Sequence, residues 1–433
     1  MKVSLAELVL LILSVFLATF MRILLLPIYP LAMVIVLVAL KSRATKACFT
    51  LLTLILVSLL FSLFNDFYPK YYLVSLFYMV PFIFTLFSVP GSFKPDSRDL
   101  AKFFITCLAI VAGINNIIGF AQVVMHPESD DSFAGIYSSF SVSLNGLSLL
   151  NAILFVYYFH IFLAFKNRQH LWWAGFFLIS SVMGFYGAGL IVFIASFILV
   201  FFKWNLSSII KVGVVGALLL LVIYYMIGFL NPNALDYNKE NLKKITKFDV
   251  HNGPRKLTAF YNYTISYPKD IKDFLFGSGP GTFNSRSAFI VGSPIYFSDL
   301  TVIKSEEQPY YFRNYAYSLW NPSNTSKLLY QDGFRNQPFS SLLAFLGEYG
   351  LLFSLFFAWY YHKQYRQIVD MVAANPSLRN LAYRRIVKFL FCFLGLLLVI
   401  DNYHEYPEIT LLILVLVKLL HIEIRKEANI DTA

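Results

Sequence analysis

Apolar runs long enough to cross a bilayer recur almost from end to end of this chain. No other feature limits its fold as much. A hydrocarbon layer about 30 Å thick takes about 20 residues of helix to span. Inside it every backbone N–H and C=O must be satisfied by protein, which leaves helices or closed barrels. Continuous runs of this length specify helices. Spans are expected at 3–20, 23–40, 48–64, 71–89, 102–125, 141–165, 171–185, 188–203, 208–230, 338–360, 386–402 and 408–422, twelve in all. The weakest division is "GFYGAGL", Gly184 to Leu190, where one apolar stretch must become two short helices. The expected fold is an all-α polytopic membrane protein. Composition agrees: 14% of residues are charged, against about 25% in soluble domains. The first run is no cleavable signal peptide, because it lacks a small-residue cleavage site and a second apolar run follows Arg22 at once.

Charge placement predicts orientation. Nineteen Lys and Arg fall in the short connections on one side, among them Lys41, Arg43, Lys46, Arg366, Arg379, Arg384 and Arg385; the short loops on the other side hold only Arg22 and Lys70. The positive-inside rule then makes both termini cytoplasmic. The net charge of +11 is an orientation signal on this reading, and no nucleic-acid partner is expected. Cys48, Cys107 and Cys392 lie in apolar runs as small core residues, with no disulfide. The seven histidines are scattered, without an HExxH pair or a Cys/His cluster, so neither metal nor cofactor is expected.

Three regions follow: helices 1–9 over residues 1–230, a hydrophilic segment over 231–337, and helices 10–12 over 338–433. The middle segment carries 13 Lys/Arg, 9 Asp/Glu and ten tyrosines. It is too aromatic for a disordered linker. It should be a folded, partly helical extracytoplasmic cap resting on the bundle. Within it, "FLFGSGPGTF", Phe274 to Phe283, spaces Gly277, Gly279 and Gly281 one residue apart. A phosphate loop would need Gly-Lys-Ser/Thr, and Thr282 comes without the lysine. The turn is read as structural, with glycine permitting close backbone approach.

Arginine's rigid fork suits phosphate oxygens, and the cap holds Arg255, Arg286, Arg313 and Arg335. Two readings stand: ordinary surface charges, or a pair that grips a diphosphate. The aromatics of "QPYYFRNYAYSLW", Gln308 to Trp320, likewise stack on sugar faces or form the cap's own core. Glu348 in "FLGEYGLLFSL" falls two to three turns into the tenth span, where an ionisable group faces a cavity or a partner. His404 in "DNYHEYPE" sits on a short outer loop, as an interfacial anchor beside Tyr403 and Tyr406 or as a proton acceptor.

Together these features resemble the superfamily of O-antigen polymerases and O-antigen ligases. That family shows ten to fourteen spans and one large periplasmic loop late in the chain. "GPRKLTAFYNY", Gly253 to Tyr263, followed by "FLFGSGPGTF", is similar to its arginine, aromatic stretch and glycine turn. "LAFLGEYGLLF", Leu343 to Phe353, is similar to its loop-exit helix, and "SLNGLSLLNAIL", Ser143 to Leu154, to an earlier asparagine-bearing helix. Ligases usually carry a His-Asn pair before the exit helix. Here Arg335-Asn336 stands instead, which favours a polymerase and leaves the base unassigned. The family's Ser-Arg helix start is also absent.

The resemblance implies an inverting, metal-independent glycosyl transfer at the periplasmic face of the bacterial inner membrane, between undecaprenyl-pyrophosphate-linked oligosaccharides. It gives Arg255 the diphosphate, with Arg313 and Arg335 as second contacts and Arg286 in reserve. Glu348, His251 and His404 are the candidate catalytic bases. Membrane lipids are implied partners, and a chain-length regulator is an open one. Two rivals remain: a ligase that transfers the glycan to a lipid A core, and a lipid-linked glycan transporter without chemistry.

Overall fold

The computed structural model describes residues 4–19, 28–64, 67–94, 98–125, 133–136, 144–184, 186–201, isolated positions between 221 and 246, 254–267, 270–296, 300–320, 337–374, 376–405 and 407–428. These residues are helical apart from short connections and one β-bridge, Arg43 to Val89. The first eight helices are α1 Leu5–Thr19, α2 Ile28–Ala39, α3 Lys46–Leu63, α4 Pro69–Phe87, α5 Leu100–Met125, α6 Leu144–Phe165, α7 Arg168–Met183 and α8 Gly187–Phe201. Shorter pieces follow: α9 Arg255–Ile265, α10 Ile271–Phe276, α11 Arg286–Gly292 and a π-helical turn, Phe312–Ala316, that runs into Tyr317–Trp320. The chain then forms α12 Ser341–Ala344, a second π-helical turn Phe345–Tyr349, α13 Gly350–Ala374, α14 Leu378–Ile400 and α15 Pro407–Glu427.

Among the described residues, five stretches are long and apolar enough to cross a membrane: Lys46–Leu63, Pro69–Phe87, Leu100–Met125, Asn145–Phe165 and Ser341–Val372. Leu5–Ala18, Pro30–Ala39 and Gly187–Phe201 are apolar but shorter. Outward faces are greasy, as with Ile110, Ile114 and Ile117 along one side of α5, the arrangement of helices solvated by lipid. These helices mark a membrane protein. The expected ninth span, 208–230, lies almost wholly outside the described residues.

Some boundaries differ from the hydropathy reading. Helix α13 runs on to Ala374 and α14 begins at Leu378, so both extend well past the expected ends at 360 and 386. Hydropathy reports only the apolar part of a helix, whereas Lys, Gln and Arg propagate the backbone equally well. Ser377 caps α14 by accepting from the Asn380 amide at 3.0 Å.

Polar contacts fix helix pairs inside the apolar bundle. Ser148 donates to the Ser181 carbonyl at 2.7 Å and Ser181 returns the bond to Ser148 at 2.8 Å. These small residues let α6 and α7 approach closely. Asn116 of α5 and Asn151 of α6, both fully buried, exchange side-chain amide bonds at 2.8 and 3.1 Å. Helix α15 is central: every residue from Ile409 to Arg425 is buried, and it packs on α2, α4, α5, α6, α13 and α14.

The 254–320 region packs closely on the helices. Every residue from Gly279 to Ser293 is buried. The glycine turn lies against α3 and α4, and α11 packs on α4. The segment is packed against the end of α3 and the start of α4, and its polar backbone finds partners in the protein.

Candidate functional site

The site grows from a helix that cannot continue. The span beginning at Ser341 passes through the π-helical turn and meets Gly350 at φ +82°. A side chain at Gly350 would overlap the Leu275 carbonyl. The interruption frees the carbonyls of buried residues, which must find partners within the protein. The glycine turn supplies the donors. Ser278 N–H reaches the Gly347 carbonyl at 2.8 Å, and Gly279 N–H and the Ser58 hydroxyl reach that of Glu348 at 3.0 and 2.8 Å. Tyr267 also donates to the Gly347 carbonyl.

Gly277, Gly279 and Gly281 have φ of +80°, +109° and +71°. Each also lacks room for a Cβ: at Gly279 one would lie 2.6 Å from Ser62 Cβ, and at Gly281 2.6 Å from the Tyr71 carbonyl. The turned backbone points its next amides at one carboxylate. Glu348 accepts from Gly281 N–H at 2.7 Å, Phe283 N–H at 3.2 Å and Ser285 N–H at 2.9 Å. A nest of this kind binds anions, and here its anion is the protein's own glutamate.

Two residues further on the pattern repeats. Glu405, on the loop between α14 and α15, accepts from Arg286 N–H at 2.6 Å, from Ser287 N–H at 3.3 Å and from the Ser287 hydroxyl. Burial, then the nearby Glu348 charge, pushes the Glu405 carboxyl up to about 8. The Arg286 side chain donates to both Asp401 oxygens at 3.1 and 3.2 Å and to the Tyr296 hydroxyl at 2.6 Å, with its guanidinium over the Phe339 ring. Lys256 is buried at the other side of Asp401 and donates to the Ile400 carbonyl; burial lowers it to about 8. Asn284 and Asn402 tie the same segment to the start of α12 and the end of α14.

His404 is fully buried, its Nδ1 2.9 Å from the Ser341 hydroxyl and its ring edge-on to Phe82 and Phe345. Burial, helped by the Arg286 charge, pushes it down to about 3, so it stays neutral. The interfacial-anchor reading therefore fails for this loop, since Tyr403 is buried with it.

The structure brings Glu348, Arg286 and His404 together around residues 281–287. It leaves Arg255 and Arg313 outside that network. Arg255 opens α9 half-buried, with no side-chain partner among the described residues, and Arg313 is exposed on the first π-helical turn. Helix α9 packs on the turns that carry Arg313. His251 and Arg335 lie outside the described residues. Among the described residues no group of three His, Cys, Asp or Glu side chains is placed to hold a metal. Sequence reasoning missed Lys256, Tyr296 and Asp401. Their signal was weak: a lysine beside a more prominent arginine, and an aspartate ending an apolar run.

Chemically, the two glutamates are occupied by amides and hold the segment in place. Among the described arginines of residues 254–320, Arg286 is engaged by Asp401 and Tyr296, whereas Arg255 and Arg313 make no side-chain hydrogen bond with a described residue. The chain matches no protein-family model, and no curated protein matches it significantly.

Proposed function

We propose that the chain is a surface-polysaccharide (O-antigen) polymerase, an inverting and metal-independent glycosyltransferase joining undecaprenyl-pyrophosphate-linked repeat units at the periplasmic face of the inner membrane. The observation that carries this reading is Arg255: a permanent charge, half-buried and without a side-chain partner among the described residues, one residue from a lysine locked in the buried network. Arg255 and Arg313 grip the diphosphate of the donor, with Arg335 as a further contact. A sugar hydroxyl of the second lipid-linked unit attacks the anomeric carbon from the opposite face. A glycosidic C–O bond forms, the anomeric carbon–phosphate oxygen bond breaks, and undecaprenyl pyrophosphate leaves with the electron pair. Arginine stabilises the charge that develops there. The hydroxyl proton leaves on the attacking face to water. Glu348 and His404 take holding roles, in keeping with their burial. The proposed topology is twelve spans with both termini cytoplasmic, on the lysine and arginine bias.

One feature favours the transporter instead, because interrupted helices build the ion and substrate sites of many transporters. Here the carbonyls freed near Gly350 already accept from Ser58, Tyr267, Ser278 and Gly279.

The test is reconstitution of the purified protein in nanodiscs with lipid-linked repeat units. A ladder of longer glycans on the lipid is expected. Transfer only when a lipid A core acceptor is added would make it a ligase, and translocation without new glycosidic bonds would make it a transporter.

A further inference from the structure

Aromatic residues of the 254–320 region form a graded stack whose inner member Tyr267 belongs to the network described above, through the Gly347 carbonyl, and whose outer members Tyr310 and Tyr315 do not. Phe283 and Tyr267, both buried, have ring centroids 4.9 Å apart, and Tyr311 follows at 4.3 Å from Tyr267. Tyr315 lies 6.2 Å from Tyr311 at an interplanar angle of 27°, and Tyr310 lies 5.3 Å from Tyr311 and 6.2 Å from Tyr315. Exposure rises outward, from 1% at Phe283 to 41% at Tyr310. The outer rings are pre-set by what lies beneath them. Tyr311 donates its hydroxyl to Asp273, whose helix α10 leads into the glycine turn. Rings held in this way lose little entropy on binding a ligand.

A row of ordered, partly exposed rings suits two partners: sugar, whose axial C–H groups form an apolar face, or the headgroup layer of a membrane. Two observations favour sugar. The rings are locked together rather than splayed singly, and the platform shares its π-helical turn with Arg313, to which the proposed function gives the diphosphate. Arg313 follows Tyr310 by three residues, the spacing that puts two side chains on one helical face.

We infer that Tyr310 and Tyr315 are a carbohydrate subsite that stacks the donor sugar nearest the diphosphate and so aims its anomeric carbon. This rests on the proposed function for its setting but can be tested without it. The probe is a set of free oligosaccharides, without lipid or phosphate, released from the surface polysaccharide of the source cell and titrated into the full chain in nanodiscs by calorimetry. Tyr310→Ala and Tyr315→Ala should each weaken binding at least tenfold, and Tyr310→Trp should retain it. The melting temperature serves as the fold control. Equal affinity in both alanine variants, or no binding by the unmutated protein, overturns the inference.

A second arm reads the membrane alternative. With tryptophan at position 310, quenching by lipids nitroxide-labelled at headgroup depth, unrelieved by oligosaccharide, also overturns it. Extension of lipid-linked units reports separately on the polymerase. Extension without oligosaccharide binding removes the subsite alone. Binding without extension removes the polymerase and leaves a glycan site.

Discussion

Arg286 gives its guanidinium to Asp401 and Tyr296 above the Phe339 ring, whereas the Arg255 side chain has no partner among the described residues. The two should therefore fail differently. Arg286→Ala strands a largely buried carboxylate and should cost about 3–5 kcal/mol of stability. Arg255→Ala should change stability by no more than about 0.5 kcal/mol and yet abolish the polymer ladder. Thermal melts beside nanodisc assays separate the two, and a normal ladder from Arg255→Ala would remove the diphosphate assignment. Titration gives another residue-scale test. Glu405 is raised from 4.5 to about 8, so the folded chain holds its proton longer than the unfolded one. Its contribution is complete below pH 4.5 and fades as pH rises through about 8. Lys256, lowered from 10.5 to about 8, acts oppositely: its contribution is lost as pH falls from 10.5 through about 8. Glu405→Gln should flatten the decline of the melting temperature between pH 5 and about 8, and an unchanged slope would reject this account. None of this could be read in the sequence. Arg255 and Arg286 look alike as letters, and only packing spends one and spares the other.

The glycine turn and the interrupted span are one element made of two distant pieces. Gly277 and Gly350 lie so close that a Cβ on Gly350 would fall 2.6 Å from the Gly277 amide nitrogen. Alanine at either position incurs about 1–3 kcal/mol from its left-handed backbone alone, and overlap with the facing carbonyl adds to that. We expect Gly277→Ala and Gly350→Ala to lower the yield of folded protein in detergent, measured by size-exclusion chromatography, while Gly175→Ala, with no neighbour near its added methyl, behaves as the parent. The need for glycine here was legible from spacing and from the lack of a phosphate-loop lysine. What fills the turn was not, because the carboxylate that binds its amides comes from position 348, far off in sequence. Glu348 did announce itself, as an ionisable letter in an apolar run that needed a partner.

At the scale of the molecule, apolar runs placed most described helices near where they lie, because length and hydropathy dominate in lipid. They missed the polar extensions of α13 and α14, and could not show that residues 279–293 are buried against α3 and α4. The proposed topology predicts that a single cysteine in place of Arg313, in a chain freed of its own cysteines, is labelled by an impermeant maleimide in intact cells. One in place of Lys41 should react only after permeabilisation, and the reverse pattern would invert the orientation. Helix α15, enclosed from Ile409 to Arg425, comes after all the other described helices in the sequence. A ribosome delivers it last of these, into a space they have already surrounded. Until then the nascent bundle is a sleeve without its rod. Assembly has to end with a late, concerted closure around the newcomer, and a chain stopped before Pro407 would be a target for membrane quality control.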